Sequence, residues 1–173
     1  MANIKDTAVL LVDMQLGLFK KPTPLYRADQ LLGVLNLLIR KARLAGAPVI
    51  YVQHSSPKAL LYGSADWQLH PQLLPPQGDC VIHKQHGNAF EETDLQAELT
   101  DRQIHNLVIA GLETNGSIRA TTLAALDLGY AVILVKDGHS SNNKNAAALI
   151  EEWNSRLGEA GATVKPVQSV QFR

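Results

Sequence analysis

Continuous apolar runs alternate with amphipathic stretches along this chain. Thr7 to Asp13, T-A-V-L-L-V-D, is an apolar run closed by a carboxylate, the pattern of a parallel strand buried on both faces. Residues 14–26 read as a loop holding Pro22 and Pro24. From Arg27 to Ala45 the apolar positions Leu31, Val34, Leu35, Leu38 and Ala42 recur at helical spacing, and Gly46 is a natural stop. Pro48 to His54 is a second strand, and Cys80 to Lys84 a third that ends in a cation. Between them, residues 55–79 hold Tyr62, Trp67 and four prolines; a connection that long is functional or a poorly ordered excursion. Thr93 is placed to cap a helix over Asp94 to Asp101.

The stretch from Asn106 to Arg119 is the most informative. Leu107 to Ala110 predicts a buried fourth strand, Gly111 ends it, and Glu113-Thr114-Asn115-Gly116 makes a polar turn. Ser117 then opens a helix that Gly129 ends. Ala131 to Asp137 is a fifth strand, Asn145 to Glu159 a further helix stopped near Gly161, and Thr163 to Val167 a last strand. That last strand belongs at an edge, because Pro166 cannot donate to a ladder.

Strands alternating with helices predict a three-layer, Rossmann-like α/β domain over residues 1–173, with a mainly parallel sheet of about six strands and right-handed crossovers. Ligands in such sheets bind outside the carboxyl ends of the strands. Asp13, Lys84 and Ser117 fall there, delivered by three unrelated segments.

Composition narrows the class. The formal net charge is zero with no basic stripe, which argues against nucleic acid or an anionic membrane as partner. The single cysteine, Cys80, allows no internal disulfide and reads as a small buried residue. No Cys/His cluster has zinc spacing, and the six histidines follow no metal pattern. No signal-peptide core or transmembrane run is visible, so the expectation is a soluble cytoplasmic protein.

The three strand-end residues have plain and chemical readings. Asp13 and Lys84 form either an ion pair at the sheet edge or an acid/base pair. Ser117 is either a helix cap or a nucleophile beside helix N–H groups suited to an oxyanion. A serine hydroxyl is far less acidic than a thiol, whose ordinary pKa is about 8.5, so a lone aspartate suits a cysteine better as its base.

Three blocks, in order and with fitting spacing over nearly the whole chain, carry a resemblance: L-L-V-D-M-Q-L-G-L-F, H-K-Q-H-G-N-A-F-E-E-T-D-L and V-I-A-G-L-E-T-N-G-S-I-R-A-T. They resemble the isochorismatase-like hydrolases, or cysteine hydrolases, which include nicotinamidases and N-carbamoylsarcosine amidohydrolase. The resemblance implies strand order 3-2-1-4-5-6, homodimers or higher homo-oligomers, and hydrolysis of a small amide or similar C–N compound without cofactor. It implies Asp13 and Lys84 as catalytic residues and residue 117 as the nucleophile. It also implies a cis peptide at Leu112–Glu113, with an oxyanion hole made by the N–H groups of Glu113 and residue 117. Phe19, Trp67 and Phe90 are the candidate substrate walls; Tyr62 and Trp67 either close the pocket from the long loop or anchor that loop by their own packing.

One departure stands out: the family's nucleophile is cysteine, and here it is Ser117. Either the serine replaces a natural cysteine and stalls the enzyme, or the natural protein lacks the thiol. The alternatives are therefore a vinyl ether hydrolase of the isochorismatase type, which works without a thiol, or a catalytically dead ligand-binding member. Nicotinamidases bind a metal through Asp-x-His after the second strand; Gln53-His54-Ser55-Ser56 stands there, so no metal is expected. Other classes fit less well. Lys84 stands where a phospho-receiver needs an acid, G-S-I-R lacks the second glycine of a nucleophile elbow, and no phosphate-loop or dinucleotide glycine motif occurs.

Overall fold

A computed structural model of the chain describes residues 6–73, 75, 76 and 78–172. Residues 1–5, 74, 77 and 173 lie outside the described residues, and with them the extreme ends of the domain read over 1–173. The strands are β1 (Thr7–Val12), β2 (Val49–His54), β3 (Cys80–Lys84), β4 (Asn106–Leu112), β5 (Ala131–Ser140) and β6 (Thr163–Lys165). They form one sheet in the order β3-β2-β1-β4-β5-β6, with every pairing parallel. The helices are α1 (Ala28–Ala45), α2 (Leu95–Asp101), α3 (Arg119–Asp127) and α4 (Ala146–Glu159).

The unbroken apolar run of β1 is explained by two cores. Val9 and Leu11 join α1 on one face of the sheet; Ala8, Leu10 and Val12 join α2, α3 and α4 residues on the other. On α1 the buried residues are Leu31, Leu32, Leu35, Leu38, Ile39 and Ala42. Full burial of each leucine or isoleucine is worth roughly 1.5–3 kcal/mol before entropy is counted. Gly46 closes α1 in the left-handed region, where glycine bears no Cβ penalty.

Several element ends differ from the sequence pattern; β4 does not end at Gly111 but runs through it to Leu112, where both residues pair with β5. β5 runs on to Ser140 instead of stopping at Asp137, because its register against β4 shifts between Ile109 and Gly111 and resumes at Gly111 with His139 and Leu112 with Ser140. The charged pair Lys136-Asp137 is exposed at that irregularity and imitates a strand end. β6 is shorter than the run that predicts it, ending one residue before Pro166. The helix entry at Ser117 is wider than the pattern predicts: Thr114–Ile118 forms one wide turn broken at the non-helical Gly116, and from Ser117 the chain runs directly into α3 at Arg119.

Candidate active site

The carboxyl ends of β1, β2, β3 and β4 converge on a buried ammonium. Lys84, at the end of β3, is 1 % exposed. Its Nζ donates to Asp13 Oδ2 at 3.2 Å, to Ser117 Oγ at 3.0 Å and to the His86 carbonyl at 2.9 Å, and lies 3.1 Å from His54 Nδ1. The sheet order accounts for the fourth contact. β3 and β1 flank β2, so the long side chain that joins Lys84 to Asp13 must pass over the end of β2, where His54 sits.

Asp13 follows β1 with φ 54°, a left-handed conformation that Asp adopts more readily than most residues. Its N–H still reaches the Val52 carbonyl at 2.9 Å, so the turn begins at the sheet itself. One oxygen is held by Lys84; the other, Oδ1, is buried without a hydrogen-bond partner. Burial pushes the Asp13 carboxyl above its ordinary range, opposed first by the Lys84 charge and then by the Ser117 hydroxyl. Burial pushes the Lys84 ammonium down, opposed by Asp13. His54 is also held below its ordinary value, by burial first and the Lys84 charge second.

Ser117 makes no cap bond; its oxygen faces Lys84. The Glu113 carbonyl gathers the N–H groups of Gly116 and Ile118, the two that flank Ser117. The Leu112–Glu113 peptide is cis, as the resemblance implies. The Glu113 side chain turns outward to Lys21 at 3.2 Å.

A cleft of about 230 Å³ opens above this group. Its floor is Asp13, His54 and Ser117; Leu18, Lys21, Ser56, Ala59, Leu60, Glu113 and Gly116 surround it. Phe19, Trp67 and Phe90, the aromatic walls expected from sequence, are not among its lining residues. Phe19 packs against His70 with centroids 4.7 Å apart, and Phe90 stacks on Tyr130 at 5.8 Å. Trp67 stacks on His83 at 5.5 Å with Tyr62 beside it at 4.5 Å, contacts that anchor the long loop by its own aromatics. Walls come instead from the smaller residues of that loop and from the Leu16–Phe19 turn.

Two residues were not singled out from sequence. In the sequence His54 reads as a metal ligand without its aspartate, yet it ends the strand that lies between those of Asp13 and Lys84, and that place is its signal. Gln15 is fully buried and clamps β2 to the long loop: its Nε2 donates to the carbonyls of His54 and Trp67, and its Oε1 accepts from the His54 N–H. Among the described residues no group of three or more His, Cys, Asp or Glu side chains has metal-binding geometry.

The chain is similar to known proteins. The family model described as "Isochorismatase domain" matches residues 7–163. A solved isochorismatase family protein is 33 % identical with a TM-score of 0.88, covering 93 % of this chain and 98 % of its own. N-carbamoylsarcosine amidase from Thermoplasma acidophilum is 25 % identical with a TM-score of 0.83, over 95 % of this chain and 98 % of its own. Streptothricin hydrolase from Streptomyces noursei is 29 % identical over 84 % of this chain, which spans 58 % of that relative's length.

Proposed function

The chain belongs to the isochorismatase domain family, and from that premise we propose that it is built as a small-molecule amidohydrolase whose nucleophile position holds a serine. The observation that carries this reading is the single Lys84 ammonium bonded at once to Asp13 Oδ2 and Ser117 Oγ. A merely structural ion pair would not need the third partner. The similarity to an amidase supports C–N bond hydrolysis as the reaction class, and that to streptothricin hydrolase supports a hydrolase. The cleft volume falls below the roughly 300–1,000 Å³ of drug-sized ligand sites, which suits a small substrate.

With a thiol at position 117, Asp13 takes its proton as the sulfur attacks the carbonyl carbon. Lys84 keeps the carboxylate ionised and the attacking atom in reach. The oxyanion rests on the N–H groups of Glu113 and residue 117, each donor worth about 3–4 kcal/mol. The C–N bond breaks, the amine leaves with the proton held by Asp13, and water releases the acid from the thioester. Serine at 117 stalls the first step, because the hydroxyl proton is too weakly acidic for this base.

Ser117→Cys should raise amine release from small amides by about three or more orders of magnitude, and Asp13→Asn in that background should abolish the gain. Equal amide turnover by the serine and cysteine forms would remove the nucleophile assignment.

The serine itself favours a second reading. A buried Asp13 whose carboxyl is pushed upward is suited to protonate a vinyl ether without any thiol. Vinyl ether cleavage by the serine form, with no amide turnover by either form, would replace the amidase reading. Binding without turnover of either class would leave a ligand-binding member.

A further inference from the structure

Behind the turn that carries Ser117 lies a buried polar chain that the reaction above does not use. His139, on the far end of β5, is 3 % exposed; Thr114 is fully buried and Asn154, on α4, is 9 % exposed. Thr114 Oγ1 lies 2.8 Å from His139 Nδ1, and Asn154 Oδ1 lies 2.7 Å from Nε2. The Asn154 amide nitrogen donates to the Lys136 carbonyl at 3.1 Å, which fixes the other amide atom as oxygen, an acceptor only. The proton between His139 and Asn154 therefore sits on Nε2. In the neutral ring Nδ1 then accepts, and the Thr114 hydroxyl is its donor. Burial, the first cause of its lowered pKa, keeps the ring neutral.

Every proton in this chain thus has one direction, from Thr114 through His139 and Asn154 to the backbone of β5. Thr114 is the first residue of the turn, between Glu113 and Ser117. His139 pairs in register with Gly111, just before the turn begins. The same strand end also holds the opposite wall of the cleft. Ser140 Oγ donates to the Tyr26 carbonyl at 2.6 Å, and Asn142 Nδ2 to the carbonyls of Leu18 and Thr23 at 3.2 and 3.0 Å. The two walls meet in the Lys21–Glu113 ion pair.

We infer that His139 is a positioning residue: through its bond to Thr114 it sets the Glu113–Ser117 turn so that the atom at position 117 stays in contact with Lys84. The inference rests on reading residue 117 as the attacking position. An apolar side chain of similar size would fill the same space, but would leave the Thr114 hydroxyl buried without a partner and the turn free to rotate.

The test uses the Ser117→Cys protein and the pH dependence of alkylation of the introduced thiol by iodoacetamide, a readout that needs no substrate. The unsubstituted protein supplies the Cys80 background. Thr114→Val should raise the pH midpoint of alkylation by about one unit, because the thiol loses its ammonium neighbour. It should lower kcat by about tenfold and leave KM within about twofold. Thr114→Ser, which keeps the hydroxyl, should retain both values. In the unsubstituted protein, imidazole ¹⁵N shifts at neutral pH should report His139 as the neutral Nε2–H tautomer. An unchanged midpoint in Thr114→Val, with or without a loss of thermal stability, overturns the inference, as does an Nδ1–H tautomer. If the midpoint shifts while the thiol form hydrolyses no amide, the reaction assignment fails and the positioning role stands.

Discussion

An ammonium has three protons, and Lys84 has four acceptors within 3.2 Å. It is the hub of the site, and the two halves of its ion pair should not be equivalent on removal. Lys84→Met strands a buried carboxylate together with Ser117 Oγ and the His86 carbonyl, and should cost roughly 3–5 kcal/mol. Asp13→Asn leaves the ammonium three other acceptors and should cost less than half as much. Urea denaturation of both variants checks this; equal losses would mean that Lys84 serves Asp13 alone. The same pair sets the pH window of the proposed reaction. Asp13 must be ionised and Lys84 protonated. Burial raises the first from 3.8 and lowers the second from 10.5. Activity of the Ser117→Cys form should therefore fall on the acid side above the ordinary carboxylate range, and on the alkaline side below the ordinary lysine range. A pH–rate profile with an acid limb at or below 3.8 would contradict the burial argument.

At the scale of elements, Gly111 shows how closely β4 must approach β1. Its φ is +130°, and a methyl group there would run into the Val12 carbonyl. Gly111→Ala should cost about 1–3 kcal/mol from overpacking, with a further 1–3 kcal/mol or so from backbone strain. The denaturation midpoint should drop with an unchanged urea slope. In the sequence this glycine read only as a strand terminator. Apolar runs buried on both faces made β1, β2 and β4 legible, and the order of strand-end residues made Asp13, Lys84 and Ser117 legible. Other features were hidden for physical reasons. The extension of β5 depends on a register slip against β4, a pairing that has no local pattern. The roles of Gln15, His54 and His139 depend on contacts across 39, 30 and 25 residues of sequence. Phe19, Trp67 and Phe90 pack their rings on His70, His83 and Tyr130, pairings with no local signature in the sequence.

At the scale of the molecule, the loop that lines the cleft also carries exposed apolar surface. Ala59 and Leu60 line the cleft, and the next two residues, Leu61 and Tyr62, are 59 % and 66 % exposed. An exposed leucine and tyrosine that follow the lining residues in sequence are apolar surface that a second chain can cover. The homo-oligomer expected from the family resemblance is testable there. Light scattering at micromolar concentration should give a mass of at least two 18.8 kDa chains. Leu61→Asp should shift the population toward one chain, because a charge in the centre of a contact must be desolvated without a partner. If this segment belongs to the contact, the same substitution in the Ser117→Cys background should raise KM more than it lowers kcat, since Leu61 follows the lining residue Leu60 and is not among the partners of Lys84. A single-chain mass for the unsubstituted protein would remove the oligomer. A stable oligomer indifferent to Leu61→Asp would move the contact away from this segment, leaving it apolar for the substrate's sake.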